Sequence, residues 1–444
     1  MNAALPASLA HVLRARAERH PDRLAYVFLK DGGAEEARLR TAELDLRARA
    51  IAAALQDLDA AGRRAILLYP PGLDFVAAFW GCLYAETVAV PLAAPALHRP
   101  QPRLRTVARD AQPSLVLSSA AFAARRPAIA AQAPELADLP WLATDELDLA
   151  LASAWRETAP AGENLAFLQY TSGSTAAPKG VMVTHANLVH NEEVIRRAVE
   201  HTEESVVVSW LPPHHDMGLI AGILQPVYAG GLGVLMAPVA FLQRPLRWLQ
   251  AISRYRGNTS GGPNFAYELC AQKIGEEACA ELDLSCWRAA FNGSEPVRAA
   301  TLERFARAFA PCGFRRQALY PCYGLAEATL FVTGGRLDSP PAVAEVDAAA
   351  LERHRWQRAA AGAPARALVG CGRPGLGMEV AIVDPETGRP CPADAVGEVW
   401  VRGGSVARGY WNRPEVTERD FGARPSEPGG GERGPFLRTG DLGA

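Results

Sequence analysis

The sequence predicts an α/β protein in which parallel strands are covered by helices on both faces, followed by a small antiparallel β-rich segment. Two observations carry that expectation. Strand-like apolar runs alternate with helix-like runs from about residue 44 to about 332, the pattern of βαβ units and a parallel sheet. After about residue 372 the texture changes to MEVAIVDPETGRPCPADAVGEVWVRG, two β-rich runs joined by a Pro/Gly/Asp turn region. The 444 residues are about three times a typical single-domain length, so two or more packed subdomains are expected.

The elements follow in order. Leu44, Ala48, Ile51 and Leu55 recur at spacings of four and three, a helical stripe. AILLY (65–69) then reads as a strand, a Pro-Pro-Gly turn follows, an apolar helix covers about 73–86, and TVAVPL (87–92) is the next strand. A second unit runs through RLRTVARDAQ, SLVLSS (114–119) and an Ala-rich helix, after which residues 133–164 read as a surface crossover. Strand NLAFLQY, a Gly/Ser/Thr turn, a helix from about 186 and strand SVVVSW (205–210) continue the alternation. Residues 217–243 carry no charge and are long enough to span a bilayer, but Pro226, Gly230, Gly231, Gly233 and Pro238 divide them. A buried helix and strand are therefore expected there, not a membrane span.

Composition narrows the function classes. Apolar residues make up 49% and charged residues 21%, and 46 Lys+Arg against 48 Asp+Glu leave a net charge of −2. That excludes global disorder and gives no basic field for nucleic acid. The eight cysteines include no C-x-x-C pair and no zinc-like spacing, so reduced, mostly buried thiols are expected. Near the N-terminus Arg14, Arg16 and Glu18 interrupt the apolar stretch too soon for a signal peptide, which favours a cytoplasmic enzyme. Only three cations are lysine: Lys30, Lys179 and Lys273.

One of those lysines closes a hydroxyl-rich loop directly after a strand, Tyr170 to Gly180, with Thr171, Ser172, Gly173, Ser174 and Thr175 inside it. Its amides and hydroxyls can surround phosphate oxygens, Gly173 allows close backbone approach, and Lys179 can neutralise a leaving pyrophosphate. It is not a Walker A loop, because the lysine precedes Gly180 and no G-K-[ST] occurs. An acidic side chain beside such a loop would be repulsive without a bridging cation. The G-x-G-x-x-G at Gly370 to Gly375 is rejected as a dinucleotide site, because Pro374 and the β-like run after it leave no helix N-terminus for a pyrophosphate.

The loop resembles the phosphate-binding motif of the adenylate-forming superfamily, which includes acyl-CoA synthetases, luciferases and nonribosomal peptide adenylation domains. Further resemblances run in the family's order. Tyr320 to Leu330 resembles its Y-G-x-x-E motif, which implies that Tyr323 stacks on adenine and Glu327 holds Mg²⁺ together with Thr175. Asn292, Gly293, Ser294 and Glu295 resemble its adenine-contacting turn. Asp441 in R-T-G-D-L resembles the carboxylate that accepts both ribose hydroxyls, and Gly397 to Gly403 the strand before it. The implied fold is the large N-terminal domain of this superfamily: two helix-covered, mostly parallel sheets packed together over 1–372, plus a small β-rich subdomain over 373–444.

Within the superfamily, Trp210 to Leu219 resembles the W-L-P-x-[YF]-H-D-M-G-L stretch of fatty acyl-AMP ligases, with His214 in place of the usual aromatic residue. That places His215 as the family histidine, able to offset charge between two anions that must meet, and Asp216 and Met217 at the acyl site. Thr259 to Cys270 also resembles these ligases, placing Gly262 and Asn264 beside the acyl-adenylate. Residues 335–368 resemble a family insertion that packs on the main body and disfavours CoA, with the run at 344–369 helix-compatible.

The implied reaction is activation of a fatty acid by ATP and Mg²⁺ to an acyl-adenylate, then transfer to the phosphopantetheine thiol of an acyl carrier protein. Lys179, His215 and Glu327 are the implied catalytic residues. Relatives continue past R-T-G-D-L into a hinge and a mobile C-terminal domain, so the chain is expected to be the large domain of a longer protein and to turn over slowly alone. The alternatives are an acyl- or aryl-CoA synthetase domain and a non-catalytic nucleotide- or lipid-binding module.

Overall fold

The computed structural model describes residues 5–95, 101–171, 178–426 and 434–444. Among these residues four sheets form. A nine-stranded sheet runs in the order Arg373–Pro374, Phe331–Gly334, Leu319–Gly324, Ala289–Asn292, Thr259–Gly262, Val206–Ser209, Leu232–Met236, Leu24–Lys30 and Ala34–Arg40. A six-stranded sheet runs Trp141–Ala143, Leu115–Ser118, Arg64–Tyr69, Val88–Ala93, Leu165–Tyr170 and Gly180–Thr184. Most neighbours in both are parallel; the antiparallel pairs are Leu24–Lys30 with Ala34–Arg40, Leu319–Gly324 with Phe331–Gly334, Phe331–Gly334 with Arg373–Pro374, and Leu165–Tyr170 with Gly180–Thr184. The alternation in the sequence is thus the alternation in space.

Helices form where the apolar stripe was expected. Thr41–Asp57 buries Leu44, Ala48, Ile51 and Leu55 against Leu73–Tyr84, where a side chain at Gly81 would collide with Ile51. The uncharged stretch divides into a π-helix Met217–Leu224, a short helix Gln225–Ala229, strand Leu232–Met236 and helix Pro238–Gln243. Gly230 takes φ +82° to end the short helix. No helix among the described residues is long and apolar enough to cross a membrane. The eight cysteines are free thiols, four of them buried.

Helix His185–Ala198 joins the parts. Thr184 and Asn187 cap its start reciprocally, each side-chain oxygen accepting from the other's backbone N–H at 3.1 Å. The Asn187 amide also donates to the carbonyls of Gly404 and Val406 at 2.9 Å. Asn191 donates to the Phe331 carbonyl at 2.9 Å and accepts from the Phe331 N–H at 3.1 Å. One helix therefore fixes the six-stranded sheet, the nine-stranded sheet and the 404–406 segment to each other.

The C-terminal segment builds a three-stranded antiparallel sheet from Glu379–Val383, Gly397–Arg402 and Leu437–Gly443. Residues 335–368 correct an expectation. The Ala-rich composition suggested helix, but only Ala348–Glu352 is helical; Val343–Asp347 and Ala365–Val369 pair antiparallel. Tertiary pairing overrides propensity here: Trp356 N–H donates to the Asp394 carbonyl and Val396 N–H to that of His354, both at 2.9 Å. Residues 354–356 are thereby laced onto the 394–396 segment.

Candidate active site

Parallel strands that end at one level create the site. Gly262 pairs with Asn292, and Asn292 with Pro321, so Gly293, Ser294 and Gly324 emerge together at the carboxyl edge of the sheet, where open α/β sheets bind ligands. A cleft of about 440 Å³ opens there, lined by Ala93, Arg103, Tyr170, Thr171, His214, His215, Asp216, Ser294, Gly324 and Ala326 among others. A narrower pocket of about 70 Å³, walled largely by apolar side chains including Ile195, Val199, Met217, Phe291, Leu330 and Phe331, adjoins it. Asp216, Ser294 and Gly324 line both.

Thr171 and Lys179 stand at the base of the hydroxyl-rich loop, closed by the Thr171 N–H donating to the Lys179 carbonyl at 3.1 Å. Ser172, Gly173, Ser174 and Thr175 lie outside the described residues. Gly180 is glycine because Tyr170 lies over it: a Cβ would meet the ring at 2.9 Å. The Tyr170 hydroxyl donates to Asp110 at 2.7 Å, which pairs with Arg413 at 2.9 Å. Lys179 Nζ sits 4.3 Å from the Tyr410 ring centroid and 3.9 Å from the Asp420 carboxylate.

Glu327 reaches the same place from a different strand. Gly324 has no room for a side chain against the Leu330 carbonyl, and the Leu325 N–H donates to that carbonyl at 3.0 Å. The tight turn presents Glu327, whose Oε1 accepts from the Tyr410 hydroxyl at 2.8 Å. Burial holds the Glu327 carboxyl above its ordinary range; the hydrogen bonds from Tyr410 and from its own backbone and the charge of Lys179 pull the other way, and Asp216 adds repulsion. Tyr410 thus touches both Lys179 and Glu327. Sequence reasoning missed it, because nothing in the spacing of G-Y-W-N ties it to either partner.

The histidine pair is split by its surroundings. Asp216 Oδ1 lies 2.6 Å from His215 Nδ1 and also accepts from the Met217 N–H at 2.7 Å. The hydrogen bond to Asp216 raises the His215 pKa despite partial burial, while the half-exposed ring faces the cleft. His214 is pushed down to about 4, first by burial and then by the charges of His215 and Arg103. Of the two neighbouring rings, His214 is the one held neutral and His215 the one more readily protonated. The His215–Asp216 attraction is fully present below the ordinary histidine value and is lost as pH rises through the raised one. Asp216→Asn is expected to move the His215 titration midpoint down, read by ¹H–¹⁵N NMR of the imidazole; an unmoved midpoint would refute the pairing.

The other expected residues divide. Asn292 is fully buried at its strand end with no partner for either side-chain amide atom, and it lines neither pocket. Gly293 and Ser294 line the apolar pocket, and Ser294 takes φ +68°. Tyr323 also lines that pocket, and its hydroxyl donates to Asp441 Oδ2 at 2.7 Å. Glu295 instead accepts from the Phe265 N–H at 2.7 Å, at the start of helix Asn264–Lys273. Asn264 holds the Arg298 N–H at 3.0 Å, and Gly262 lies against Trp210; neither lines the pockets described above. Arg103, which sequence reasoning read only as part of a helix, stands in the cleft and donates to the Tyr170 carbonyl at 3.0 Å.

Comparison with known proteins gives consistent likenesses. Residues 13–411 match the AMP-binding enzyme family. The chain is 46% identical over 443 residues to the medium-chain-fatty-acid–[acyl-carrier-protein] ligase JamA of Moorena producens, covering 98% of this chain and 74% of that one. It is 39% identical over 446 residues to a long-chain-fatty-acid–AMP ligase of Mycobacterium tuberculosis, covering 98% and 76%. A fatty acyl-adenylate ligase from L. pneumophila, solved with acyl adenylate and pyrophosphate, superposes with a TM-score of 0.92 at 42% identity, over 99% of this chain and 76% of that chain.

Proposed function

The chain belongs to the AMP-binding enzymes, and from that membership we propose that it activates a fatty acid with ATP, releasing pyrophosphate, and delivers the acyl group to the phosphopantetheine thiol of an acyl carrier protein for lipid, polyketide or nonribosomal peptide synthesis. The observation that carries the proposal is the junction of a polar cleft and an apolar pocket at Asp216, Ser294 and Gly324. An acyl chain seated in the pocket would bring its carboxylate to that junction, where the α-phosphate of a nucleotide in the cleft can meet it.

The carboxylate oxygen attacks the α-phosphorus in line and pyrophosphate leaves, so no protein nucleophile is needed. Positioning and charge stabilisation carry the reaction. His215 and Arg103 reduce the repulsion between the two anions, and Lys179 receives the departing pyrophosphate. Tyr323 and Asp441, already joined, flank the nucleoside. The charge of Asp216 adds to the cost of ionising the buried Glu327 carboxyl, a setting that fits Mg²⁺ held by Glu327 with Thr175. The ion would offset phosphate charge there. In this reading residues 1–372 are the adenylation core, 373–444 the small subdomain, and the insertion at 335–368 disfavours CoA.

Pyrophosphate exchange into ATP tests the first half-reaction. Exchange that depends on added fatty acid and falls about a hundredfold in Lys179→Ala is expected; exchange indifferent to the acid would refute the proposal. Incubation with CoA and with a phosphopantetheinylated carrier protein tests the second half, and acylation of the carrier thiol is the expected outcome.

A further inference from the structure

The apolar pocket ends on a polar floor. Thr259 lines it and pairs with Val207 and Ala289, three residues before the Gly262–Asn292 level at which the site opens. At about 3.3 Å per residue the floor is about 10 Å below the reaction centre. His201 lines the same end, buried like Thr259, with its Nε2 2.8 Å from the Thr259 hydroxyl.

Gln225 satisfies its neighbours when its nitrogen donates to the Glu192 carbonyl at 3.0 Å and to the Glu192 carboxyl, and its oxygen accepts from His201 Nδ1 at 3.1 Å. His201 is then protonated at Nδ1 and accepts at Nε2. Burial keeps it neutral, its pKa pushed down to about 4, and burial likewise raises the Glu192 carboxyl well above its ordinary range. The Thr259 O–H must therefore donate to His201. What Thr259 shows to the pocket is a lone pair: an acceptor with no hydrogen left to give.

We infer that Thr259, oriented by His201 and Gln225, selects acyl chains of medium length whose far end carries a hydrogen-bond donor such as an ω-hydroxyl group. A saturated terminus would cover the lone pair without answering it, whereas a hydroxyl donates to it. The inference rests on the adenylation reading above and adds a substrate class to it.

The test is pyrophosphate exchange with hexanoate, octanoate and decanoate, each beside its ω-hydroxy counterpart, read as the ratio of kcat/KM for hydroxylated over plain acid. At the best-fitting length the wild-type ratio is expected to exceed one by about tenfold. Thr259→Val should abolish the preference and Thr259→Ser restore it, a pattern that general loss of stability would not produce. A wild-type ratio at or below one, or a ratio that Thr259→Val leaves unchanged, overturns the inference while the adenylation reading stands. Exchange with no acid of either series overturns both.

Discussion

Glu327→Gln is expected to lower acid-dependent pyrophosphate exchange by about a hundredfold to a thousandfold, the scale of losing one preorganised charge-stabilising group. The substitution keeps the size of the side chain and an oxygen for the Tyr410 hydroxyl, which lies 2.8 Å from Oε1, so the turn beneath it survives. What disappears is negative charge. Because burial raises the Glu327 pKa, the folded protein holds that proton to higher pH than the unfolded chain does. This contribution to stability is therefore greatest at low pH and is lost as pH rises through the raised value. The ionised form needed for a cation appears over the same interval, so the acid limb of the wild-type rate profile should lie above the ordinary carboxylate range. Glu327→Gln should flatten that limb. An unchanged rate, or an unmoved limb, would remove Glu327 from the chemistry.

Trp248→Ala should destabilise the protein by about 3–5 kcal/mol, read as a lower urea midpoint by circular dichroism. Trp248 is fully buried, with edge contacts to Trp210 at 5.9 Å, Phe241 at 5.5 Å, Tyr267 at 5.6 Å and Trp287 at 5.3 Å between ring centroids. Its indole N–H donates to Ser260 at 2.7 Å, and Ser260 donates to the Val208 carbonyl at 2.6 Å. The loss would therefore reach strand Val206–Ser209 and the segment after it that carries His214, His215 and Asp216. A midpoint shift no larger than that of Leu58→Ala, at an exposed position, would show that the cluster closes around the cavity.

The alternating strands and helices were legible because their signals are local: an apolar run, a period, a turn residue. Lys179 and Glu327 each lie in a distinctive motif, and the structure brings them together through Tyr410, which lies between them. Tyr410 itself and Arg103 were not legible, since their roles come from segments that meet only after folding. The same applies to residues 335–368, whose alanines favour helix while the edge at Asp394–Val396 offers backbone partners. Glu295 and Asn264 give a different lesson. Their motifs drew attention to the right corner of the molecule, yet their side chains in this structure bond to the Phe265 and Arg298 N–H groups.

The pairing of Lys179 with Asp420 at 3.9 Å and with the face of Tyr410 has a consequence for which anions the protein retains. A ligand that reached Lys179 would have to displace a resident counter-ion, so a lone phosphate would gain little by the exchange, whereas a chain of several phosphates would gain more. Were only a monophosphate ester to remain, Asp420 could return to the lysine, and the grip on spent nucleotide would loosen without any further rearrangement.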